Sequence, residues 1–476
     1  MDNNYQILGV REDASFAEIK RAFREKAKKL HPDIAGAAAQ DLMQKLIAAY
    51  EILSDRQRRR DYDKVYSYTH DKRSTFNYRE FLEEQSDKPE YQAKLIIYYL
   101  FNFEEDAALS MWRGLGGINF PLNKFLDRED WMDCCFIFAE ELEKRRAYYE
   151  AFLLLIDLLK EERRLPYFRH FTEDIEIFLK DLCRKMRKPM SRHTTFMVGG
   201  NADIYVRPPP ELFLDSADRI LRYAKDNYVP LFILGGGANL VVSDKGIRGI
   251  VFDTSEWSGF AEDYAQNNRL VLRSGTLSDT AADIAADKGL SGLEFLAGLP
   301  GTIGGAVWMN ARCWDKSVSD IIESVEILDE HFNRVIVPFN KDEWDYKKSP
   351  FQKRKVLILS VRFLLQQGDK ESIFKLCRSY RNEREKKGHF RYPSAGSVFK
   401  NNHNFGKPSG KIIEDLGLRG TQIGGAKIAD WHGNFIVNTG GAKASDIRAL
   451  VEMVQKKARE ELNIDLECEI IFAGEW

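Results

Sequence analysis

The sequence predicts a multidomain protein in which an all-α N-terminal part precedes an α+β part with many glycine loops. Of the 33 glycines, five lie in residues 1–190 and 28 lie in residues 191–476. The pattern of apolar residues changes at the same place, from helical spacing before Pro189 to short strand-like runs after it. A chain of 476 residues has room for about three domains. Two kinds of protein are therefore joined near Pro189.

Composition excludes several classes of protein. Apolar residues make up 44% and charged residues 30% of the chain, which is typical of globular proteins and not of disordered ones. The net charge of −2 gives no overall attraction to nucleic acid or to an anionic membrane. The apolar run at 151–156 stops at Asp157, too short to span a membrane, and we expect no signal peptide. Six cysteines without CxxC spacing predict neither disulfides nor zinc, and favour a reducing cytoplasm.

The first 66 residues contain two helix-like runs separated by a break. The tripeptide His31-Pro32-Asp33 lies in this break, where proline disfavours helix at the preceding residue. In the run before it, Lys20, Arg24 and Lys28 recur at every fourth position and form a basic stripe opposite the apolar face. Such a stripe attracts an acidic partner surface. An ordinary solvated helix face gives the same pattern.

The segments NYQILGV, ASFAEIKRAFREKAKKLHPD and AAYEILSDRQRRRDYD resemble the J domain of DnaJ-type co-chaperones across residues 1–66. The resemblance implies that this domain recruits a DnaK-type chaperone and stimulates its ATP hydrolysis. The glycine/phenylalanine-rich and substrate-binding regions of full DnaJ proteins are absent, so we do not expect it to hold clients. The residues implied to contact the chaperone are His31, Pro32, Asp33, Lys20, Arg24 and Lys28.

Residues 67–190 predict a helical segment of five or six packed helices. Its aromatic side chains are expected in the core, and adjacent Cys134 and Cys135 are expected to be buried thiols. No motif in this segment carries chemistry. A spacer and a partner-binding module are equally compatible with it.

After Pro189, strand-like runs alternate with glycine loops, and helices are expected at 278–289, 370–386 and 444–462. Glycines after an apolar strand let backbone N–H groups converge on a phosphate, because no Cβ blocks the approach. The cluster at 235–237 lies between two predicted strands, which argues against a Rossmann fingerprint with its strand and helix. For any single cluster, a tight hairpin is an alternative explanation.

Five segments of this half resemble the UDP-N-acetylenolpyruvoylglucosamine reductase (MurB) family: SRHTTFMVGGNADIYVRP, LFILGGGANLVVSDKGIRGIV, GLEFLAGLPGTIGGAVWMNA, YPSAGSVFKN and GGAKIADWHGNFIVN. YPSAGSVFKN is similar to the type II branch. The resemblance implies an FAD-binding region of the vanillyl-alcohol-oxidase (PCMH) type at 191–365. It also implies a substrate-binding region at 366–476, whose tail returns to the active site.

The family binds FAD non-covalently, although His193 lies where a covalent link would be suspected, and it uses NADPH as reductant. The implied reaction reduces UDP-N-acetylglucosamine enolpyruvate to UDP-N-acetylmuramate for peptidoglycan synthesis. The cofactor-binding residues implied are Gly199, Gly200, Gly235, Gly236, Gly237, Ala238, Asn239, Gly298, Pro300, Gly301, Thr302, Gly304 and Gly305.

The resemblance also implies catalytic roles for three residues. Ser397 takes the place of the proton donor and Glu469 that of its partner carboxylate. Lys347 stands where the family has arginine, which keeps the positive charge but loses the bidentate grip on a carboxylate. Without the family, Ser397 and Glu469 would be interpreted as solvated polar residues. The residues implied to bind substrate are Tyr346, Arg391, Lys400 and Asn401.

Three functions remain open from the sequence. The first is a cytoplasmic reductase of peptidoglycan precursors that recruits its own chaperone. The second is a J-domain co-chaperone or adaptor with a weakened or inactive reductase half. The third is another flavin oxidase or dehydrogenase of the same superfamily. Ser397 and Glu469 in their motifs favour the first, and Lys347 is expected to support an active enzyme.

Overall fold

The computed structural model describes residues 3–29, 40–67, 77–164, 172–261 and 268–476. The chain forms two compact units, Met1–Leu179 and Lys180–Trp476. His31, Pro32 and Asp33 lie outside the described residues. Within the described ranges, no helix is both long and apolar enough to cross a bilayer.

The N-terminal unit begins with four helices that share one small core. Asn3 caps the first helix by accepting a hydrogen bond from the Gln6 N–H at 2.7 Å, and Gly9 ends it in the left-handed region, at φ 71°. The second and third helices pack through stacked Phe23 and Tyr50 rings, whose centroids are 4.2 Å apart. The helices are α1 (Asn4–Leu8), α2 (Phe16–Lys29), α3 (Gln40–Ser54) and α4 (Arg56–Ser67).

The helical segment follows, and its centre is the pair of packed helices at Arg128–Lys144 and Tyr148–Arg164. Trp112 stacks on Phe138 in its core, at a centroid distance of 4.7 Å. Cys134 and Cys135 are buried, as predicted, and burial raises the pKa of the Cys134 thiol. The helices are α5 (Tyr78–Glu84), α6 (Pro89–Phe101), α7 (Glu105–Gly114), α8 (Arg128–Lys144), α9 (Tyr148–Arg164) and α10 (Thr172–Lys185), with 3₁₀ turns at Gly117–Asn119 and Leu122–Lys124.

The C-terminal unit opens with a mixed sheet in the order β1-β2-β5-β3, in which β5 pairs in parallel with both β2 and β3. A strongly amphipathic helix, α11 (Phe213–Asp226), follows β2 and buries Phe213 and Ile220. The strands are β1 (Lys188–Pro189), β2 (Asn201–Val206), β3 (Leu231–Leu234), β4 (Leu240–Val242) and β5 (Ile247–Asp253).

A second sheet is antiparallel, in the order β11-β10-β12-β6, and packs against two helices, α12 (Ser278–Asp287) and α13 (Ile303–Met309). Apolar residues on one face of these strands, such as Leu272 and Val361, fill the core between them. The strands are β6 (Arg269–Arg273), β7 (Leu290–Ser291), β8 (Arg312–Cys313), β9 (Lys316–Ser317), β10 (Ile322–Leu328), β11 (Arg334–Pro338), β12 (Leu357–Leu364) and β13 (Gln366–Gln367).

The last part of the chain forms a small antiparallel sheet, β14-β15-β16, which shares a core with a long helix, α16. The final strand, β17, leaves this region and pairs in parallel with β4, with Ile471 opposite Leu240. The elements are α14 (Lys370–Lys386), α15 (Ser409–Asp415), β14 (Gln422–Ile423), β15 (Ala426–Ile428), β16 (Ile436–Asn438), α16 (Ala444–Leu462) and β17 (Ile471–Ala473).

Short 3₁₀ helices connect several elements of this unit. They are Met190–Arg192, Pro210–Leu212, Glu294–Leu296, Val318–Asp320, Lys341–Glu343, Pro350–Lys353 and His403–Phe405. The α+β architecture and the N-terminal helices agree with the fold class predicted from the sequence.

Glycine makes the return of β17 possible. Gly246 has φ +87°, and a Cβ there would lie 1.9 Å from the Asn201 carbonyl oxygen. The Glu475 N–H donates to the Gly246 carbonyl at 3.1 Å. Three backbone segments therefore meet at Gly246, where any side chain would separate them.

We predict that Gly246→Ala destabilises the C-terminal unit more than Gly440→Ala. Gly440 has φ +122° but no atom within 4 Å of its Cβ position, so the Gly440→Ala substitution measures the cost of backbone strain alone. We expect losses of about 3 kcal/mol or more at Gly246 and about 1–2 kcal/mol at Gly440. Urea unfolding followed by tryptophan fluorescence measures both, and equal losses would contradict the close approach.

Candidate functional site

A cavity of about 2120 Å³ opens in the C-terminal unit. Its wall includes the glycine turn after β3, the start of α13, the turn around Lys347, the loop around Ser397 and the return segment at Glu469. Pockets for drug-sized molecules hold about 300–1,000 Å³. This cavity is therefore large enough for a dinucleotide and a second ligand.

The glycine turn connects β3 to β4, so it lies between two strands as the sequence predicts. A Cβ on Gly236 would lie 2.6 Å from Gly301 Cα, and one on Gly237 would lie 2.1 Å from the His193 carbonyl oxygen. The turn is thus pressed against two other backbone segments. Glycine is the residue that fits here.

The backbone N–H groups of Gly235, Gly236, Gly237 and Ala238 find no hydrogen-bond acceptor among the residues that the structure describes. All four residues line the cavity. Backbone donors that line a cavity without protein partners suit an anionic ligand such as a diphosphate. The turn therefore fits the FAD diphosphate that the sequence predicts.

Lys347 and Glu469 form an ion pair in the cavity wall, between Nζ and Oε1. Their side chains are only 10% and 12% exposed, so both charges are largely removed from water. A buried carboxylate requires a partner of this kind, because its desolvation is costly. The pair joins residues 122 positions apart in the sequence.

Lys347 lies at φ +57° in a turn that α13 holds in place. Gln352 Nε2 donates to the Lys347 carbonyl at 3.0 Å, and Asn310 Nδ2 donates to the Asp345 carbonyl at 2.9 Å. The Ser349 hydroxyl donates to the Trp308 carbonyl at 2.7 Å. The ammonium group is therefore presented by a fixed turn.

The backbone of Glu469 connects the glycine turn to the serine loop. Its carbonyl accepts from Asn239 Nδ2 at 2.9 Å, and its N–H donates to the Val398 carbonyl at 2.8 Å. Ser397 precedes Val398 and lines the cavity, and its hydroxyl has no hydrogen-bond partner within the described ranges. Ser397, Lys347 and Glu469, predicted as a catalytic set, all lie in the wall of this one cavity.

Another part of the wall is basic and aromatic. Lys387 Nζ lies 4.4 Å from the Trp314 ring centroid, and the Arg391 guanidinium lies 5.2 Å from that of Trp431. Arg384 is 5% exposed and donates from Nε to the Ala297 carbonyl at 3.1 Å. These cations favour an anionic ligand in this part of the cavity.

Of these residues, only Arg391 is implied by the family resemblance; Arg384, Lys387, Trp314 and Trp431 are not. Their clustering depends on the packing of α14 against the 294–314 segment, which no local pattern encodes.

Two histidines of the cavity wall have lowered pKa values. Burial and the nearby Arg384 lower the pKa of His389 to about 4, and burial lowers the pKa of His432. The positive charge of this region is therefore supplied by arginine and lysine.

Most of the predicted site residues border the cavity. The residues that line it are Gly235, Gly236, Gly237, Ala238, Asn239, Pro300, Gly301, Thr302, Gly304, Gly305, Tyr346, Lys347, Arg391, Ser397, Asn401 and Glu469.

Four predicted residues lie outside the lining, for reasons of packing. A Cβ on Gly200 would lie 2.2 Å from the Asp244 carbonyl oxygen, and one on Gly199 would lie 2.7 Å from Val242 Cβ, so both glycines serve backbone packing beside β4. Gly298, at φ +70°, packs against Arg384. Lys400 Nζ pairs with Glu467 Oε1 at 2.5 Å.

Of the residues predicted to contact a chaperone, Lys20 and Arg24 lie one turn apart on α2 and are half-buried. Lys28 belongs to the same helix, but its side chain is outside what the structure describes.

The strand–turn–strand cradle and its cavity fit an FAD-binding oxidoreductase. Residues 214–331 match the family model of an FAD binding domain. Residues 388–473 match the C-terminal domain of UDP-N-acetylenolpyruvoylglucosamine reductase, and residues 3–63 match a DnaJ domain.

Similar proteins identify the family. The UDP-N-acetylenolpyruvoylglucosamine reductase of Treponema denticola is 41% identical over 303 residues, which cover 61% of this chain and 93% of that protein. The Borreliella burgdorferi reductase is 36% identical over 298 residues, covering 62% and 97%. The Thermus caldophilus MurB crystal structure aligns with a TM-score of 0.51 at 32% identity, covering 60% and 98%. The chain belongs to the UDP-N-acetylenolpyruvoylglucosamine reductase family.

We predict that Lys347 and Glu469 stabilise each other. Lys347→Met leaves a buried carboxylate unpaired, and Glu469→Gln leaves a buried ammonium unpaired. The double variant should therefore lose less unfolding free energy than the sum of the two single losses. A double-mutant cycle on urea unfolding should give a coupling energy of about 2 kcal/mol. A coupling energy near zero would contradict the ion pair.

Proposed function

We propose that this chain reduces UDP-N-acetylglucosamine enolpyruvate to UDP-N-acetylmuramate with NADPH, as a step in peptidoglycan precursor synthesis. One observation carries the proposal: the cavity that holds the open row of backbone N–H groups also holds Ser397 and the Lys347–Glu469 pair. A cradle for a dinucleotide and a proton-donating site thus share one cavity.

The glycine turn would hold the FAD diphosphate through the N–H groups of Gly235 to Ala238, with residues 300–305 on the facing wall. When bound, FAD accepts hydride from NADPH and supplies it to the enolpyruvyl group of the substrate. A Cβ on Gly236 would lie 2.6 Å from Gly301 Cα, and both glycines line the cavity.

The substrate would bind with its diphosphate toward Arg391 and Lys387, where cations and aromatic rings combine. Tyr346 and Asn401 also line the cavity and would orient the remaining polar groups. Lys400 is held by Glu467, so its contribution to substrate binding would require that this ion pair open.

Ser397 would deliver the proton that completes the reduction, because it lines the cavity and its hydroxyl has no hydrogen-bond partner among the described residues. Lys347 would stabilise negative charge that develops on the enolpyruvyl carboxylate. Glu469 holds the lysine ammonium in place through the ion pair. A lysine serves this role as a point charge, without the two-pronged geometry of arginine.

We predict that Ser397→Ala lowers kcat by about 100-fold or more, because general acid catalysis contributes about 10²–10⁴-fold. Bleaching of the flavin absorbance by NADPH should keep its rate, since it does not require this proton. Ser397→Cys, which retains a proton donor, should recover part of the activity. Stopped-flow absorbance separates the two half-reactions, and a full kcat in Ser397→Ala would contradict the assignment.

We further propose that residues 1–66 recruit a DnaK-type chaperone. The DnaJ family match at 3–63 and the four packed helices α1 to α4 support this. A cytoplasmic location belongs to the same proposal, and the six free cysteines are consistent with a reducing compartment.

We predict that the full chain stimulates the ATPase of DnaK and that His31→Gln abolishes the stimulation while leaving reductase activity unchanged. A coupled assay of phosphate release measures the effect, with the reductase assay as control for folding. Full stimulation by His31→Gln would contradict the J-domain function.

A further inference from the structure

Lys20 of the basic stripe and its neighbour Arg21 already face an acidic surface within the N-terminal unit. Arg21 Nη1 lies 3.5 Å from Glu129 Oε2 on α8, and Lys20 Nζ lies 5.6 Å from the ring centroid of Phe136 on the same helix. Phe16, at the start of α2, makes an edge-to-face contact with Phe103, at 6.0 Å between centroids. The helical segment thus contacts α2 through both charged and aromatic groups.

Three acidic side chains of α8 lie on one face of the helix. Glu129, Asp133, Phe136 and Glu140 follow each other at intervals of four, three and four residues, which places them in one stripe along the helix. We call Glu129, Asp133 and Glu140 the acidic stripe. Glu129 to Glu140 spans about three helical turns, and Lys20 to Arg24 on α2 spans about one.

The electrostatic effects across this contact are mutual. Burial lowers the pKa of Lys20, while Asp133, Glu140 and Asp174 act to raise it. Burial raises the pKa of Asp133, while Lys20 and Arg24 act to lower it. Each side therefore stabilises the charged form of the other, which is the behaviour of a complementary interface.

Asp130 lies beside the acidic stripe on α8 and is crowded by other carboxylates. Burial together with Asp127 and Asp133 raises the pKa of Asp130 to about 6. Carboxylates crowded on one helix gain from nearby cations, and the cations of α2 supply them.

We propose that the acidic stripe of α8 is an internal docking site for the basic stripe of α2, and that it competes with the acidic surface of a DnaK-type chaperone. This inference rests on the proposed J-domain function. The same cations cannot pair with two acidic surfaces at once, so the domain would bind the chaperone only when it leaves α8. The helical segment thereby acquires a role that its sequence does not indicate.

The docking is weak enough to be reversible. Exposed ion pairs each change an equilibrium constant by less than about fivefold, and Arg21 and Glu129 are 68% and 62% exposed. If α2 is docked on α8 in four-fifths or more of the molecules, the apparent affinity for the chaperone falls by about fivefold or more, because only undocked molecules bind.

The test compares the full chain with Asp133→Asn/Glu140→Gln, which removes two charges of the stripe without adding a cation. The matched control is Glu84→Gln/Glu90→Gln, the same charge change at two exposed carboxylates on α5 and α6. We expect the stripe variant to reach half-maximal stimulation of DnaK ATPase at about fivefold lower concentration. The control should coincide with the wild type.

A second measurement examines the contact without the chaperone. Zero-length carbodiimide crosslinking of the wild-type chain, followed by mass spectrometry of the monomer, should join Lys20 to Asp133 or Glu140. Lys29, exposed on the same helix, serves as internal control and should give no link to α8.

The outcomes separate the two proposals. Absence of the Lys20 link would overturn the docking. A link with equal half-maximal concentrations for wild type and stripe variant would overturn the competition and leave the chaperone function intact. If neither chain stimulated DnaK, the chaperone function and the competition would both fail, and the link would support docking alone.

Discussion

The candidate site depends on the return of the last strand to the glycine turn. β17 pairs with β4, and this pairing places Glu469 between Asn239 and Val398, with a hydrogen bond to each. Asn239 and Glu469 are 230 residues apart, so the contact closes the C-terminal unit around its cavity. The glycine at 246 permits this closure, because three backbone segments meet there with no room for a Cβ.

The return segment also fixes the charge of the site. A buried Glu469 carboxylate without a partner would be destabilising, because it is largely removed from water. Lys347 neutralises it from a turn that is hydrogen-bonded to Asn310 and Gln352. A lysine satisfies this requirement because a single ion pair needs only one directed donor. Arginine could pair with Glu469 and direct a second donor at the ligand. Lysine keeps the ion pair with Glu469 but lacks the second donor for a substrate carboxylate.

The sequence was sufficient for features that depend on local pattern. The helices at Lys370–Lys386 and Ala444–Leu462 match the predicted ranges, and the glycine turn at 235–237 lies between two strands as expected. Contacts between residues far apart in the chain could not be predicted from the sequence. No local pattern indicates that Lys347 pairs with Glu469 or that α2 faces α8. Gly199 and Gly200 show the converse limit, because glycine required for backbone packing looks the same in sequence as glycine required for a ligand.

We propose that the cavity closed by the return segment is a working reductase site with lysine at position 347. The most direct test of this proposal is an anaerobic single turnover of the wild-type chain. We predict that the purified protein carries FAD, that NADPH bleaches it, and that equimolar UDP-N-acetylglucosamine enolpyruvate restores the absorbance with formation of UDP-N-acetylmuramate. A colourless protein, or an absorbance that returns only when oxygen is admitted, would contradict the account.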